Sequence, residues 1–339
     1  MHQHLGDATA HCCAECGKEG GATLKVCKSC MVAKYCNANC QRNHWPTHKK
    51  ECKLRAAELC DEALFKVPPA KEDCPICFLP MPLLLISCMS LPTATISSIP
   101  IYEFAEANEE LAKKATETYY SCCGKSICEG CVYSFRMSGN DGNCPFCKAA
   151  DFDKTDEDAV EEIMRRVEAN DAGAMYILGS NNYHGLLGLN QDREKALELY
   201  ARAAELGSNH AHFQLGLYYR AGGDLKKAKF HYEAAAMAVD EVARSNLGCM
   251  EAQSGNMERA VKHWTIAASA GHYGAMKNLI KVIEMGYVGY VSRAAIDSTI
   301  TAYNDSCVEM RSKARDAALH VLSPASVQDE ERAIKITLE

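Results

Sequence analysis

The fold is decided first by residues 13–52, CAECGKEGGATLKVCKSCMVAKYCNANCQRNHWPTHKKEC, which carry pairs of metal-ligand residues at short intervals. Two residues between paired cysteines let one tight turn aim both thiolates at a single tetrahedral zinc ion. A segment this short, with so few large apolar residues, cannot fold on a hydrophobic core. Structural zinc supplies roughly 10–16 kcal/mol of apparent binding energy in small fingers. The eight candidate ligands, enough for two sites, are Cys13, Cys16, Cys27, Cys30, Cys36, Cys40, His48 and Cys52.

The second half of this stretch reads Cys36-x3-Cys40-Gln41-x3-Trp45-x2-His48-Lys49-x2-Cys52 and resembles the MYND zinc finger at every ligand position. The resemblance implies a cross-brace, in which one zinc is held by Cys13, Cys16, Cys36 and Cys40, and the other by Cys27, Cys30, His48 and Cys52. Spacing alone also allows sequential pairing. The resemblance further implies that the finger binds short proline-containing peptides, with Gln41 and Trp45 facing the peptide. Trp45 is equally suited to packing the core of a small domain.

The chain has 339 residues, which favours two or three domains, and 18 of its 20 cysteines precede residue 150. The start, Met1 to Asp7, has no apolar segment of the kind found in secretion signals. Clustered Cys-x2-Cys pairs without such a signal are typical of metal sites in a reducing compartment. The longest apolar run, Pro82 to Ile86, is far shorter than the ~20 residues that cross a bilayer. These features predict an intracellular protein, cytoplasmic or nuclear, with no membrane span.

Charge argues against a nucleic-acid partner. The formal net charge is −7, and thiolates bound to zinc make the fingers more negative still. The lysines and arginines of residues 13–55 therefore largely balance their own metal centres. Without a net basic face, nucleic-acid binding is weakly supported.

A second cysteine cluster runs from Cys74 to Cys147 and resembles a RING finger. Its eight candidate ligands are Cys74, Cys77, Cys122, Cys123, Cys128, Cys131, Cys144 and Cys147. The resemblance assigns Cys74, Cys77, Cys128 and Cys131 to the first site, and Cys144 and Cys147 to the second.

Two departures from the RING pattern affect this cluster. Lys125 stands where that pattern has a histidine, and a lysine ammonium has no free lone pair for zinc. The extra thiol of the Cys122–Cys123 pair offers a substitute, so this finger holds one or two zinc ions and the chain about four. An insertion, residues 78–121, separates the ligands; its part from Phe104 to Tyr119 predicts a helix, and Cys88 within it is interpreted as a spare thiol.

RING fingers carry no catalytic nucleophile; they dock a ubiquitin-conjugating enzyme. By resemblance, Ile76 and Pro145 occupy positions that contact that enzyme, and Lys148 occupies one where a cation bridges to ubiquitin. Each residue also has a plainer interpretation, because Ile76 and Pro145 can simply shape zinc turns and Lys148 can be a solvated charge.

After an acidic stretch at 151–158, Thr155 and Asp158 predict a capped helix to about Val167. A repeat follows. Ala174, Ala211, Ala243 and Ala275 start one set of columns, 37, 32 and 32 residues apart. A second set places small alanines and one large aromatic on a single helix face, at Tyr200, Tyr232 and Trp264. Such a helix-pair period predicts an α-solenoid.

These columns resemble Sel1 repeats, relatives of the tetratricopeptide class, over residues 171–290. The resemblance implies a solenoid that binds proteins and has no chemistry of its own. Ser292 to Leu322 is expected to be one helix packed on its end. The repeat histidines His184, His231, His263 and His272 are expected to pack or lie on the surface.

The predicted fold is therefore multidomain, with two small zinc-stabilised fingers, MYND and RING-like, followed by an all-α solenoid. The predicted segments are a disordered N-terminus (1–12), the MYND-type finger (13–52), a helix and proline linker (53–73), the RING-like finger (74–148), an acidic linker and helix (149–170), Sel1-like repeats with a capping helix (171–322) and a flexible tail (323–339).

Two functions fit this organisation. One is a zinc-binding scaffold that recruits proteins; the other is a ubiquitin ligase that docks a conjugating enzyme and recruits substrate through the solenoid or the MYND finger. A methyltransferase, suggested by MYND fingers inside SET-domain enzymes, is disfavoured because no cofactor-binding segment is visible.

Overall fold

The computed structural model describes residues 12–20, 23–81, 117–140, 142–150, 154–285, 289–310 and 312–322. It divides into two compact units, one ending at Lys66 and the other beginning at Val67. The predicted disordered N-terminus (but for Cys12), the predicted tail, Cys88 and residues 104–116 lie outside the described residues.

The first unit is a short hairpin followed by one long helix. Strands β1 (Lys25–Val26) and β2 (Lys34–Tyr35) are antiparallel, with Lys25 opposite Tyr35. Helix α1 (Ala38–Leu64) begins at Asn37, whose side chain accepts a hydrogen bond from the Cys40 amide at 2.9 Å. The helix predicted at the start of segment 53–73 is therefore the second half of a longer one. The buried cluster of this unit consists of Leu24, Tyr35 and four cysteines, so its apolar core is small.

The second unit opens with a second hairpin and a short helix. Strands β3 (Glu117–Tyr120) and β4 (Lys125–Cys128) are antiparallel, with Tyr120 opposite Lys125, and lead into helix α2 (Glu129–Phe135). The predicted helix from Phe104 is wrong over residues 117–119, which are strand. Threonine and tyrosine favour strands, and here they pair with β4.

The helical part begins where the capping motif predicts. Helix α3 (Asp156–Glu168) starts at Thr155, whose hydroxyl accepts from the Asp158 amide while the Asp158 carboxylate accepts from the Thr155 amide. The solenoid helices follow as α4 (Ala172–His184), α5 (Arg193–Glu205), α6 (Asn209–Ala221), α7 (Leu225–Met237), α8 (Glu241–Gln253), α9 (Met257–Ser269) and α10 (Tyr273–Glu284).

The helix starts recur with a strict period. From α5 to α10 the N-cap residues are 16 positions apart, at Asp192, Ser208, Asp224, Asp240, Asn256 and His272. All but Asn256 accept a hydrogen bond from a backbone amide of the first turn through their side chains. Each such cap satisfies one of the unpaired donors at a helix start.

Paired helices approach closely because glycine faces an aromatic ring in each repeat. A Cβ added at Gly179 would lie 2.8 Å from the Tyr200 ring. At Gly216 the distance to the Tyr232 ring would be 2.6 Å, and at Gly248 the distance to Trp264 would be 2.5 Å. Since real Cβ contacts are longer than this, these positions exclude any side chain. The alanine and aromatic columns of the sequence are thus the solenoid core.

The end of the chain differs from the prediction of one capping helix over 292–322. Two helices form, α11 (Arg293–Glu309) and α12 (Lys313–Leu322). Helix α11 packs on the last repeat, with Ile296 and Tyr303 in its buried cluster. Helix α12 instead packs on α2. Among the described helices, none combines the length and apolar composition that a bilayer crossing requires.

The described residues of the second finger, 74–81, 117–140 and 142–148, lie in the same compact unit as the solenoid. The Tyr119 hydroxyl donates to the Asp171 carboxylate at 3.0 Å, and the Ser121 hydroxyl donates to Glu162 at 2.6 Å. Before the finger, the Lys71 ammonium lies 2.7 Å from the buried Glu241 carboxylate of α8. The linker and the finger are therefore fixed to the repeats by polar contacts as well as by α12.

The glycine–aromatic contact gives a stability prediction. Gly216→Ala should destabilise the solenoid, because its methyl group would meet Tyr232 at 2.6 Å and overpacking costs about 1–3 kcal/mol. Gly222→Ala, at the end of the same helix, is the matched control; its Cβ would lie at an ordinary 3.6 Å from its nearest neighbour. Thermal unfolding followed by circular dichroism should show a lowered midpoint for the first variant alone. Equal midpoints would show that the two helices can move apart to fit the methyl group without a loss of stability.

Candidate metal centres

The first centre is Cys13, Cys16, Cys36 and Cys40, whose sulfur atoms all lie within 4.8 Å of one another. The sulfur atoms of Cys16 and Cys36 are 3.7 Å apart, and those of Cys36 and Cys40 are 3.4 Å apart. Zinc–sulfur bonds of about 2.3 Å in a tetrahedron require sulfur atoms about 3.8 Å apart. A turn closed by the Gly17 amide on the Cys13 carbonyl supplies one pair, and the start of α1 supplies Cys40.

The second centre is Cys27, Cys30, His48 and Cys52, and all four residues are buried. The Cys27 and Cys52 sulfur atoms are 3.7 Å apart, and Cys30 lies 3.4 Å from His48 Nε2. His48 and Cys52 are four residues apart on α1, so they face the same side of that helix. The ligand sets that meet are the cross-braced ones, and the sequential pairing that spacing also allows does not form.

A supporting pair beside the second centre was missed from the sequence. The Tyr35 hydroxyl and His44 Nδ1 are 2.9 Å apart, and the His44 ring stacks on the His48 ring at 5.4 Å. Burial, with the neighbouring cysteines, raises the pKa of Tyr35 to about 12. The phenol is therefore neutral and holds the histidine stack in place, as outer partners of metal ligands commonly do.

The third centre is Cys74, Cys77, Cys128 and Cys131, the set that the RING resemblance implies. The sulfur atoms of Cys74 and Cys131 are 3.7 Å apart, and those of Cys77 and Cys128 are 3.8 Å apart. The Cys128 amide points at Cys74 Sγ from 3.5 Å. One pair comes from the turn after the linker and the other from the junction of β4 with α2.

The fourth centre is Cys122, Cys123, Cys144 and Cys147, so both adjacent thiols take part. Cys123 lies 3.7 Å from Cys144, and Cys122 lies 3.4 Å from Cys147, measured between sulfur atoms. The Lys125 ammonium sits 4.6 Å from the centre of the Phe146 ring, a cation–π contact. The extra thiol of the Cys122–Cys123 pair thus completes the set of four, and the Lys125 ammonium faces a ring instead of the centre.

The thiol groups of these centres are suited to binding zinc as thiolates. In the first centre, the Cys16 amide lowers the pKa of Cys13 to about 6, whereas contact with Cys36 raises the pKa of Cys40 to about 12. Without a cation the four thiols cannot all ionise together, and zinc binding replaces their protons. The four sets, three of four cysteines and one of three cysteines and a histidine, are compatible with about four zinc ions.

The residues predicted to contact partners lie at or near the surface. Gln41 and Trp45 are one helical turn apart on α1; Trp45 is 40% exposed, with its ring edge against His48 at 6.4 Å. Ile76 is 39% exposed, Pro145 is half-buried, and Lys148 is exposed with its ammonium 5.5 Å from the Phe135 ring.

The repeat histidines hold structural positions. His263 is fully buried, and His272 caps α10 by accepting from the Ala275 amide at 3.0 Å. The Nδ1 atoms of His231 and His212 are 3.0 Å apart, and His184 is exposed in the last turn of α4. Within the described parts of the chain, none of the four joins a group of metal-binding side chains.

Comparison with known protein families identifies two modules. Residues 13–52 match the MYND finger, and residues 172–208, 209–240 and 243–272 match the Sel1 repeat. The chain therefore contains a MYND finger and three Sel1 repeats. The second finger lies outside these matched ranges, and its assignment as a zinc finger depends on its two cysteine clusters.

Similar proteins cover parts of the chain. Histone-lysine N-methyltransferase SMYD3 of Homo sapiens is 54% identical over 43 residues, 12% of this chain and 9% of that protein. An F-box protein of Arabidopsis thaliana is 30% identical over 112 residues, 32% of each chain. A Sel1 repeat protein structure from Oxalobacter formigenes, 24% identical, aligns over 54% of this chain and 72% of that one with a TM-score of 0.41. This chain thus spans about a tenth of the methyltransferase and a third of the F-box protein.

The fourth centre gives a metal-content prediction. The full chain should bind about four zinc ions, and Cys123→Ser should bind about three, because it removes a ligand from that set alone. Cys60→Ser, which changes a cysteine outside all four sets, should keep the full content. Elemental analysis of the purified proteins measures this. A wild-type chain with about three zinc ions, unchanged in Cys123→Ser, would show that the fourth centre binds no metal.

Proposed function

We propose that this chain is a zinc-dependent scaffold that binds proline-containing peptides through the MYND finger and further proteins through the solenoid. The observation that carries the first part is the exposed Trp45 ring, held edge-on to the ligand His48. Its position is thereby tied to the second centre, and Gln41 lies one turn away on the same helix. A rigid aromatic next to a polar side chain is a common anchor for peptide segments.

Exposed apolar side chains support a role of the solenoid in protein binding. Leu217 and Tyr218 of α6 are 38% and 40% exposed, and Phe230 of α7 is 62% exposed. The centre of the Phe230 ring also lies 6.5 Å from that of the His212 ring on α6, so the neighbouring helix borders this exposed side chain. Large apolar groups of this kind are enriched where proteins meet.

The similarity to a methyltransferase supports the presence of a MYND finger in this chain but not methyl transfer by it. It spans 43 residues, about the length of the MYND match, and 9% of that enzyme. We therefore propose no methyl transfer for this chain.

Trp45→Ala should weaken peptide binding at least about tenfold, which corresponds to about 1.4 kcal/mol. The probe is an array of proline-containing peptides and their proline-to-alanine counterparts, followed by fluorescence anisotropy with the full chain. Leu54→Ala, a change at an exposed apolar residue farther along α1, is the matched control and should bind as wild type. Zinc content should be unchanged in both variants. Full peptide binding by Trp45→Ala, or a loss that accompanies loss of zinc, would assign Trp45 to the finger's core instead.

A second candidate function is ubiquitin ligation by the second finger. The specific observation in its favour is that Ile76 and Lys148 remain exposed although the same finger is packed against the solenoid. By resemblance to RING fingers, an apolar residue in the first zinc turn contacts the conjugating enzyme, and a cation after the last ligand bridges to ubiquitin.

Ubiquitin transfer by the full chain should then be abolished by Ile76→Ala with zinc content unchanged. The measurement is autoubiquitination across a panel of conjugating enzymes. Met164→Ala, at an exposed apolar residue of α3, serves as the control. If wild type forms no chains with any enzyme while all four centres hold zinc, the scaffold function stands alone.

A further inference from the structure

Helix α12 reaches the third centre by a close approach to α2. A Cβ added at Gly130 would lie 2.6 Å from Arg315 Cγ, 2.7 Å from its backbone nitrogen and 2.8 Å from its Cα. Only glycine leaves room for this contact. The first turn of α12 is itself fixed, because the Arg315 amide donates to the Ser312 hydroxyl at 3.2 Å.

The Arg315 side chain points at two zinc-ligand sulfur atoms of the third centre. Its Nε donates to Cys128 Sγ at 3.4 Å, and its Nη2 donates to Cys77 Sγ at 3.5 Å. These two cysteines are the pair whose sulfur atoms lie 3.8 Å apart. One planar guanidinium therefore spans both, a geometry that its fixed fork of donors suits.

The remaining donors of the guanidinium bind carbonyl groups. Nη1 donates to the carbonyl oxygens of Pro80 and Met310, both at 2.8 Å, and Nη2 donates to that of Leu79 at 3.3 Å. With the two sulfur contacts, all five N–H groups of the arginine are used. The contact thus joins the turn after Cys77, the break before α12 and the metal ligands.

The charge of this arginine needs a partner, because only 5% of its surface is exposed. A buried cation is costly unless it is paired and hydrogen-bonded. Its five donors leave none for a carboxylate, and zinc-bound thiolates would supply the compensating charge. Four thiolates on one zinc would carry about −2, and the guanidinium would offset part of it. The first centre receives a neutral donor instead, the Asn37 amide at 3.3 Å from Cys36 Sγ.

We infer that Arg315 is a positioning residue of the third zinc centre and makes zinc retention there depend on the last helix of the solenoid. The inference is independent of which protein the scaffold binds. It places a residue 187 positions from Cys128 and 238 positions from Cys77 beside the ligands of a finger. Outer partners of metal ligands typically change metal affinity about 10–100-fold.

The test measures how fast each cysteine of the full zinc-loaded chain is alkylated in the presence of a chelator. Peptide mass spectrometry gives the rate for each cysteine. Arg315→Met keeps an unbranched side chain with the Cβ and Cγ that pack against Gly130 but removes all five donors and the charge. The cysteines of the third centre, Cys74, Cys77, Cys128 and Cys131, should then react at least about tenfold faster. The cysteines of the fourth centre should keep their wild-type rates. Arg315→Lys should be intermediate, because an ammonium cannot bridge both sulfur atoms and three carbonyls.

Two results separate this role from simple docking of the finger. Tyr119→Phe removes the 3.0 Å hydrogen bond between the finger and Asp171 but touches no sulfur contact, so it should leave the third centre's rates unchanged. Unchanged rates in Arg315→Met, or equal acceleration of both centres of the finger, would overturn the inference. If Arg315→Met loses its helical circular dichroism, Arg315→Lys decides, and wild-type rates in that variant overturn the inference too.

Discussion

Four sulfur atoms held within 4.8 Å of one another repel strongly once they ionise, and the fingers depend on a cation that cancels this repulsion. The clusters take the place that a hydrophobic core takes elsewhere. In the first unit, the buried set contains Leu24 and Tyr35 beside the cysteines, which is too little apolar surface to hold a domain. The main structural role of the hairpin and of the start of α1 is to bring the metal ligands together.

The solenoid rests on different physics. Its helices are short, and what holds them is close approach: glycine against an aromatic ring within a repeat, and fully buried alanines. From α5 to α10 the N-cap residues recur every 16 positions, and all but Asn256 fix the start of their helix by a side-chain hydrogen bond. Because each repeat contacts its neighbours, stability passes along the array. The second finger joins this array through Tyr119, Ser121 and α12, so metal binding and helix packing meet in one compact unit.

The sequence could predict whatever depends on local spacing. Ligand pairs follow from two-residue gaps, and the repeat follows from alanine and aromatic columns, because both patterns repeat at fixed intervals. The N-cap residues at 16-residue intervals are also visible in the sequence, but the 32-residue period of the alanine and aromatic columns is more prominent. Long-range contacts were not predictable. The sequence near Arg315 contains no signal of a metal centre. Likewise, the sequence near Lys125 does not indicate that its ammonium makes a cation–π contact with Phe146. The helix prediction is wrong at residues 117–119 because the preceding composition favours helix, whereas the strand there forms by pairing with β4 beyond a turn.

The contact between Arg315 and the third centre also sets an order of events during synthesis of the chain. Cys128 leaves the ribosome 187 residues before Arg315 does, which at translation rates of about 5–20 residues per second is a wait on the order of 10–40 s. Once Cys131 has followed, and for nearly all of that interval, the third centre has all four of its cysteines but not the guanidinium that contacts two of them. A nascent chain therefore carries this cysteine cluster without its arginine partner until α12 emerges, and zinc bound in that interval would be held by the four cysteines alone.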